Sequence, residues 1–384
     1  KYWGVYLNDF MRLMGWNANT NLTFGSFHID IAPIIIVAFF TTLLVFGTKI
    51  GARVDGAMTV LKIAIVFFVV IVGFFYVKAS NFTPFIPPSQ PASTVEGSSA
   101  VTGVMTQPLW QFATGMTPSV YGVPGILSGA ALVFFAFIGF DVVATASEET
   151  KNPHKNVPLG IGVGMLLIIV MYMLVAVVTT GMVSYADLAK QDSPSLATAF
   201  ELVGADWAAK IISFGIVLGL ATVVMVLLLG LTRIVFAMSR DGLLPRGLSK
   251  TGKHGTPAAL QIVVGVVVAL VAAFFDIGVL SDMVNIGTLS AFTLVAISIP
   301  IMRKKRPDLP RAFKMPGNPW IPILIAVANF WLMLNLSVLT WIRFVVWLVV
   351  GFAIYFGYGY WHARLGKGDL TETLSAETDK AVNG

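Results

Sequence analysis

Long apolar runs alternate with short polar stretches along the chain, and this pattern predicts a bundle of membrane-spanning helices. A helix that crosses the hydrocarbon core of a bilayer needs about 20 mostly apolar residues. Nine stretches satisfy that requirement, at 31–48, 57–77, 124–147, 159–183, 211–236, 257–275, 283–302, 319–338 and 341–361. We therefore predict an all-α integral membrane protein with about nine transmembrane helices across residues 31–363.

The stretches outside these spans are predicted to form loops and ends. Residues 1–30 precede the first span, and residues 79–122 form a long loop rich in Pro, Ser, Thr and Gly, with a short helix near 105–115. Asn152 and Pro153 are expected to break the chain into a loop. The polar tail, 364–384, is predicted to be disordered.

Basic residues alternate between the loops, which predicts the orientation in the membrane. Of the 25 Lys and Arg residues, 18 fall in one alternate set of loops and adjoining helix ends. Cytoplasmic loops carry the excess of Lys and Arg. The pattern therefore places that set and the C-terminus in the cytoplasm, and residues 1–30 and 79–122 outside.

Composition supports a membrane protein and excludes several kinds of chemistry. Hydrophobic residues make up 57% and charged residues 11% of the 384 residues, whereas a soluble domain has about 25% charged residues. There is no cysteine, the four histidines have no metal-ligand spacing, and no phosphate-binding loop motif occurs. We expect neither a metal site nor an enzyme.

Lys62 lies inside a predicted span, where a charged group costs at least about 2.5 kcal/mol. One interpretation is a lysine that extends its ammonium to the membrane surface. The other is an ammonium that faces the bundle, bonds neighbouring helices and can lose its proton.

Asp141 also stands out as a charged residue inside a predicted span, and it follows Gly139 and Phe140. It either bonds a neighbouring helix for structure or lies beside an interrupted helix. An interruption would leave main-chain N–H and C=O groups to line a cavity, as in transporters. The aromatic residues around it would then form walls of a binding site. Gly215 and Gly219, four residues apart, are typical of close helix contact.

Several segments resemble the amino acid–polyamine–organocation permeases, in particular their cationic amino acid transporter-like branch. FFAFIGFDVVATASEETKNPHKNVPLGI (134–161) resembles the family's sixth helix, and GARVDGAMTVLKIAIVFFVVIVG (51–73) resembles its fifth helix with a lysine. LTRIVFAMSRDGLLP (231–245) is similar to the end of the eighth helix, and VNIGTLSAFTLVAISI (284–299) to the tenth.

The resemblance implies a LeuT-like fold, in which the nine spans correspond to family helices 4–12. Residues 1–30 would be the outer end of helix three and an extracellular loop, so the chain is expected to be N-terminally truncated. The missing first helix would supply half of the substrate site.

The resemblance also implies roles for particular residues. The substrate-binding set is Phe135, Ala136, Phe137, Ile138, Gly139 and Met225. Lys62 and Thr222 would couple transport to protons, with Asp141 as polar support. No metal or cofactor is implied, and the proton gradient would drive transport.

The function expected from this resemblance is import of L-amino acids, with a preference for small neutral ones, across the cell membrane by proton symport and alternating access. The expected partners are the amino acid, protons and membrane lipid, without nucleic acid. Two alternatives stay open: an exchanger of amino acids or polyamines, and a membrane receptor or partner subunit that does not transport.

Overall fold

The structure is a computed structural model that describes residues 1–16, 20–24, 27–46, 49–94, 103–140, 143, 150, 152–191, 194–250, 256–308 and 315–363. Its helices are α1 Tyr2–Leu13, α2 Ile31–Phe46, α3 Lys49–Phe74, α4 Leu109–Thr114, α5 Gly122–Val133, α6 Pro153–Met182, α7 Tyr185–Ala189, α8 Leu196–Leu202, α9 Asp206–Arg240, α10 Ala258–Phe274, α11 Ile277–Lys305, α12 Trp320–Leu334 and α13 Val338–Ile354. A π-helical turn at Tyr355–Gly359 and a last turn at Tyr360–His362 extend α13.

Each of the nine predicted spans meets an apolar helix in the described part of the chain. Five are long and apolar enough to cross a membrane: Gly56–Phe74, Lys155–Met182, Asp206–Arg240, Ile277–Lys305 and Val338–His362. The other four, at Ile31–Phe46, Gly122–Phe137, Ala258–Phe274 and Trp320–Leu334, are equally apolar but shorter. The prediction of an all-α, multi-pass membrane protein is confirmed.

α9 is the central helix of the first half of the bundle. It packs against α1, α2, α3, α8 and α10. One apolar core joins α3, α6, α8 and α9 around Phe200 and Ile212, and a second joins α2, α9 and α10 around Phe40 and Leu260. A third joins α5, α11 and α12 around Ile286 and Leu289.

Small residues let α3 approach α9 closely, as the spacing of the two glycines predicts. A Cβ atom at Gly215 would lie 2.5 Å from two carbons of Ile65, so the isoleucine occupies the space of the missing side chain. At Gly219 the neighbour is the side chain of Lys62. Bare backbone at these two positions allows side chains of α3 to lie directly on α9.

Several helices begin earlier than the sequence pattern predicts, among them α3, α6, α9 and α11. α6 begins at Pro153, so the loop expected after Asn152 is instead the start of a helix. Proline fits the first turn, where its missing N–H has no helical partner, and this explains the difference. α11 begins at Ile277, six residues before the predicted position, and includes the polar residues Ser281 and Asp282.

Residues 1–30 contain a strand pair that the sequence pattern did not predict. Strand β1, Asn21–Phe24, pairs antiparallel with β2, Phe27–Asp30, between α1 and α2. α1 itself is fixed to α8, because Arg12 donates two hydrogen bonds to the carboxylate of Glu201, at 2.9 and 3.1 Å.

The long loop contains the predicted short helix, which is α4, but it does not simply cover the surface. Backbone hydrogen bonds join Leu109 to Leu336 and Val338 to Gln107, at 3.0 and 3.1 Å, so the loop is attached to the turn between α12 and α13. Gln111 is 1% exposed. The segment is therefore part of the packed structure.

The same loop also packs against the N-terminal end of α5. Strand β3, Gln90–Pro91, pairs with β4, Ser119–Val120, directly before α5. Gly122, with φ +57°, packs against Ser89, where a Cβ atom would lie 3.0 Å from the serine backbone nitrogen. The N-terminal end of α5 is thus fixed by neighbouring backbone.

Candidate functional site

The sixth-helix segment is interrupted where the sequence predicts. The α-helix ends at Val133 and tightens into a 3₁₀ turn over Phe134–Phe137. Ile138 is extended, with ψ 136°, and Gly139 has φ +122°, a backbone conformation that favours glycine. We refer to residues 134–139 as the interrupted segment.

Interruption leaves main-chain carbonyl groups without partners in a continuous helical ladder. One of them, the carbonyl of Ala136, accepts a hydrogen bond of 2.8 Å from the hydroxyl of Tyr172 on α6. The ring of Phe137 also contacts the ring of Tyr172 edge to face, with centroids 5.1 Å apart. α6 therefore holds the interrupted segment by a polar and an aromatic contact at the same residue.

Aromatic rings from two other helices contact the interrupted segment. Phe292 of α11 contacts Phe134 and Phe140, with centroids 6.1 and 5.1 Å away, so one ring touches both sides of the interruption. Tyr2 of α1 contacts Phe135 at 6.0 Å. The segment lies among aromatic side chains, and its main-chain groups are the polar element.

Lys62 and Thr222 meet on the same residue of α9. The Cγ, Cε and Cδ atoms of Lys62 lie 3.2, 3.6 and 3.8 Å from the position that a Cβ atom would occupy at Gly219. Thr222, which is buried, donates a 2.9 Å hydrogen bond to the carbonyl of Gly219. The aliphatic part of the half-buried Lys62 side chain thus lies against α9.

α1 lies between this polar site and the interrupted segment. The indole N–H of Trp3 donates a 3.0 Å hydrogen bond to the carbonyl of Val217, two residues before Gly219. The neighbouring Tyr2 contacts Phe135. One turn of α1 therefore connects α9, beside Lys62, with the segment predicted to bind substrate.

Met225, also predicted to bind substrate, lies in an apolar core. Its side chain is 4% exposed and belongs to the apolar core formed with Phe40 of α2 and Leu260 of α10. This environment gives Met225 a packing role in the described structure. Asp141 lies outside the described residues, as do Glu148 and Glu149.

A cavity of about 550 Å³ opens at the other end of α3, where α6 and α7 meet. Its polar lining includes Lys78, Asn81, Ser184 and Asp187. Several of these groups are already engaged: Asn81 donates to the carbonyl of Gly181, and the Ser184 hydroxyl and Lys190 hold the pKa of Asp187 below its usual value. Among the predicted site residues that the structure describes, none lines this cavity.

Sequence reasoning missed Tyr172 and Phe292. A tyrosine in the middle of the apolar run MLLIIVMYMLVAVV is itself a signal, since its hydroxyl needs a partner within the membrane. Phe292 gives no comparable signal, because aromatic residues are common in helices of this kind.

Comparisons with known proteins agree with this architecture. The family described as amino acid permease matches residues 5–359. The branched-chain amino acid permease of Bacillus subtilis is 39% identical over 95% of this chain and 73% of its own length. The methylthioribose transporter of the same organism is 38% identical over 87% of this chain and 65% of its own length.

A plant relative is more distant. Cationic amino acid transporter 4, vacuolar, from Arabidopsis thaliana is 34% identical over 73% of this chain, which spans 42% of that protein. All three are named as permeases or transporters, and none as an enzyme. The chain belongs to the amino acid permease family.

Proposed function

We propose that this protein imports L-amino acids across the cell membrane by alternating access, with the substrate bound at the interrupted segment. The observation that carries the proposal is the departure from helix between Phe134 and Gly139. Main-chain dipoles at such a break can hold the carboxylate and ammonium groups that all amino acids share. The family's LeuT-like inverted repeats provide the two alternating states in this proposal.

The side chains of the interrupted segment support a neutral substrate. Phe135, Phe137 and Ile138 are apolar, and the described part of the segment contains no acidic residue to pair with a cationic side chain. The relative from Bacillus subtilis is named for branched-chain amino acids. Small neutral L-amino acids, including aliphatic ones, are the substrate class that we propose.

We propose Lys62 as the residue that couples uptake to protons. Its side chain lies on Gly219, the residue whose carbonyl accepts the Thr222 hydroxyl. A protonated lysine there bonds α3 to its neighbours, and loss of the proton loosens that connection. Such a change biases the transport cycle only if the two states differ in their affinity for the proton.

Uptake by the full-length protein in proteoliposomes tests the proposal. We expect accumulation of radiolabelled leucine or alanine when the outside is acidic, and little accumulation without the pH gradient. A panel of unlabelled alanine, valine, arginine, putrescine and methylthioribose as competitors tests the substrate class. Competition by neutral amino acids alone is the expected result, and competition only by methylthioribose or putrescine would contradict it.

Two further measurements separate the alternatives. Counterflow against internal amino acid, equally fast with and without a pH gradient, would indicate an exchanger. Saturable ligand binding by the full-length protein without any uptake would indicate a receptor or partner subunit. Either result would contradict the proposal that the protein is a proton-coupled importer.

A further inference from the structure

The contact between Tyr172 and the interrupted segment is placed where it can influence the conformation of that segment. The hydroxyl reaches the Ala136 carbonyl at 2.8 Å, and the ring of the same tyrosine packs on Phe137. Two consecutive residues of the segment are therefore held by one side chain from a different helix. α6 is assigned as one helix from Pro153 to Met182, and Tyr172 lies well inside it.

The attachment acts at the point where the chain changes conformation. Ala136 and Phe137 are the last residues of the 3₁₀ turn, and Ile138 is already extended. Backbone in this region has few helical hydrogen bonds to keep it in place. The Tyr172 hydrogen bond, together with the ring contacts at Phe137 and Phe135, therefore helps to fix the local conformation.

We propose that Tyr172 is a positioning residue that holds the interrupted segment in one conformation of the transport cycle, through its hydroxyl bond to Ala136. The bond forms in the conformation described here and breaks when the segment moves relative to α6. This inference rests on the proposed function for its place in a transport cycle. The contact itself can be tested without any substrate.

The chemistry of the bond explains why it suits a reversible role. A hydrogen bond between two uncharged groups contributes little net free energy in proteins, so it biases two conformations without locking either one. The Phe137 contact keeps the tyrosine ring near the segment after the hydrogen bond breaks.

Tyr172→Phe removes the hydroxyl and keeps the ring, and it is the variant of choice. The 384 residues contain no cysteine, so Ile138→Cys supplies a single reporter thiol in this region, within a full-length background that lacks other cysteines. Ile138 is half-buried and directly follows the attached turn. The alkylation rate of this thiol measures how often the segment opens.

We expect Tyr172→Phe to accelerate alkylation of Cys at 138 by about twofold to tenfold, the range for loss of one uncharged hydrogen bond. Alkylation of a control thiol from Phe85→Cys, 86% exposed in the long loop, should not change. Tyr360→Phe, which removes a hydroxyl on the last turn of the final helix, should leave both rates as they are. An unchanged rate at 138, or an equal increase with Tyr360→Phe, would overturn the proposal.

Transport kinetics provide a second readout in the full-length protein. Tyr172→Phe should change kcat and KM for leucine by different factors, since it shifts the balance of conformations. Phe137→Leu should change each of the two parameters in the same direction as Tyr172→Phe does. Unchanged kcat and KM in both variants would also overturn the proposal. Absence of uptake in the unmodified protein would refute the proposed function alone, because the alkylation experiment needs no substrate.

Discussion

The side chain of Lys62 lies on Gly219, with three of its carbons 3.2–3.8 Å from the place of a missing Cβ. The glycine therefore defines where the lysine can run between α3 and α9. Thr222 donates to the carbonyl of the same glycine, one turn along α9. Gly219 thus takes part in the close contact between α3 and α9 and also accepts the Thr222 hydrogen bond. Because Gly219 has no side chain, it leaves the space that the Lys62 side chain occupies.

Substitution of Gly219 should therefore impair transport by displacing Lys62. We expect Gly219→Val to lower the initial rate of amino acid uptake by about tenfold or more. The larger side chain overpacks the contact with Lys62, which costs roughly 1–3 kcal/mol of stability. Gly351→Val on α13, where nothing lies within 4 Å of a Cβ, is the matched control and should transport normally. Uptake in proteoliposomes at equal protein content measures both, and normal uptake by Gly219→Val would contradict this account.

Removal of the Lys62 ammonium should abolish the pH dependence of uptake. Lys62→Ala has no group to protonate there, so its uptake should be similar at acidic and neutral pH and slower than in the unmodified protein. Lys62→Arg keeps the charge but cannot lose its proton in this pH range, so it should also lose pH dependence. Initial rates across a pH series test this, and a normal pH profile in Lys62→Ala would remove the lysine from the coupling mechanism.

Gly215 makes a testable contribution to stability, separate from transport. A methyl group at this position meets Ile65 at 2.5 Å, so Gly215→Ala should lower the free energy of unfolding by roughly 1–3 kcal/mol. Gly351→Ala, in open space, should raise it by about 0.5–1 kcal/mol, because alanine favours helix. Unfolding in mixed micelles measures both changes. Equal effects of the two substitutions would mean that α3 and α9 do not pack as described.

The ion pair between Arg12 and Glu201 should contribute modestly to the attachment of α1 to α8. The two hydrogen bonds form a bidentate pair, but the arginine side chain is 56% exposed, so solvent weakens the interaction. We expect Glu201→Gln to cost about 0.5–1 kcal/mol of stability.

A double-mutant cycle with Arg12→Gln isolates the interaction energy between the two side chains. Asp308→Asn, in an exposed pair with Arg306 at 3.6 Å, serves as the control and should have a smaller effect. A coupling energy of zero for Arg12 and Glu201 would show that other contacts position α1.

The spans and the interruption could be predicted from sequence because each leaves a local signal. Apolar runs located nine apolar helices in the described part of the chain, five of them long enough to cross a membrane, and the Gly215–Gly219 spacing identified a close contact. Gly139 marked the interrupted segment, and its positive φ is a backbone conformation that favours glycine.

Other features depend on partners far away in the chain, and local patterns do not contain them. The loop residue Gln111 is polar, yet it is buried because the loop packs on the α12–α13 turn. Met225 shares a helical face with Thr222, but the neighbouring α2 and α10 place it in an apolar core. The hydrogen bond of Tyr172 spans 36 residues, and only the fold brings its two partners together.

Attachment of the long loop fixes the beginning of the sixth-helix segment, which starts with α5. The loop is bonded to the α12–α13 turn, and its strand pair ends directly before α5, so the N-terminal half of the segment is fixed to the last two helices. After Val133 the chain is instead positioned by side chains of other helices, namely Tyr172, Phe292 and Tyr2. The described part of the broken helix thus has two kinds of anchor: main-chain hydrogen bonds of the neighbouring loop at its beginning, and side chains from other helices over residues 134–140.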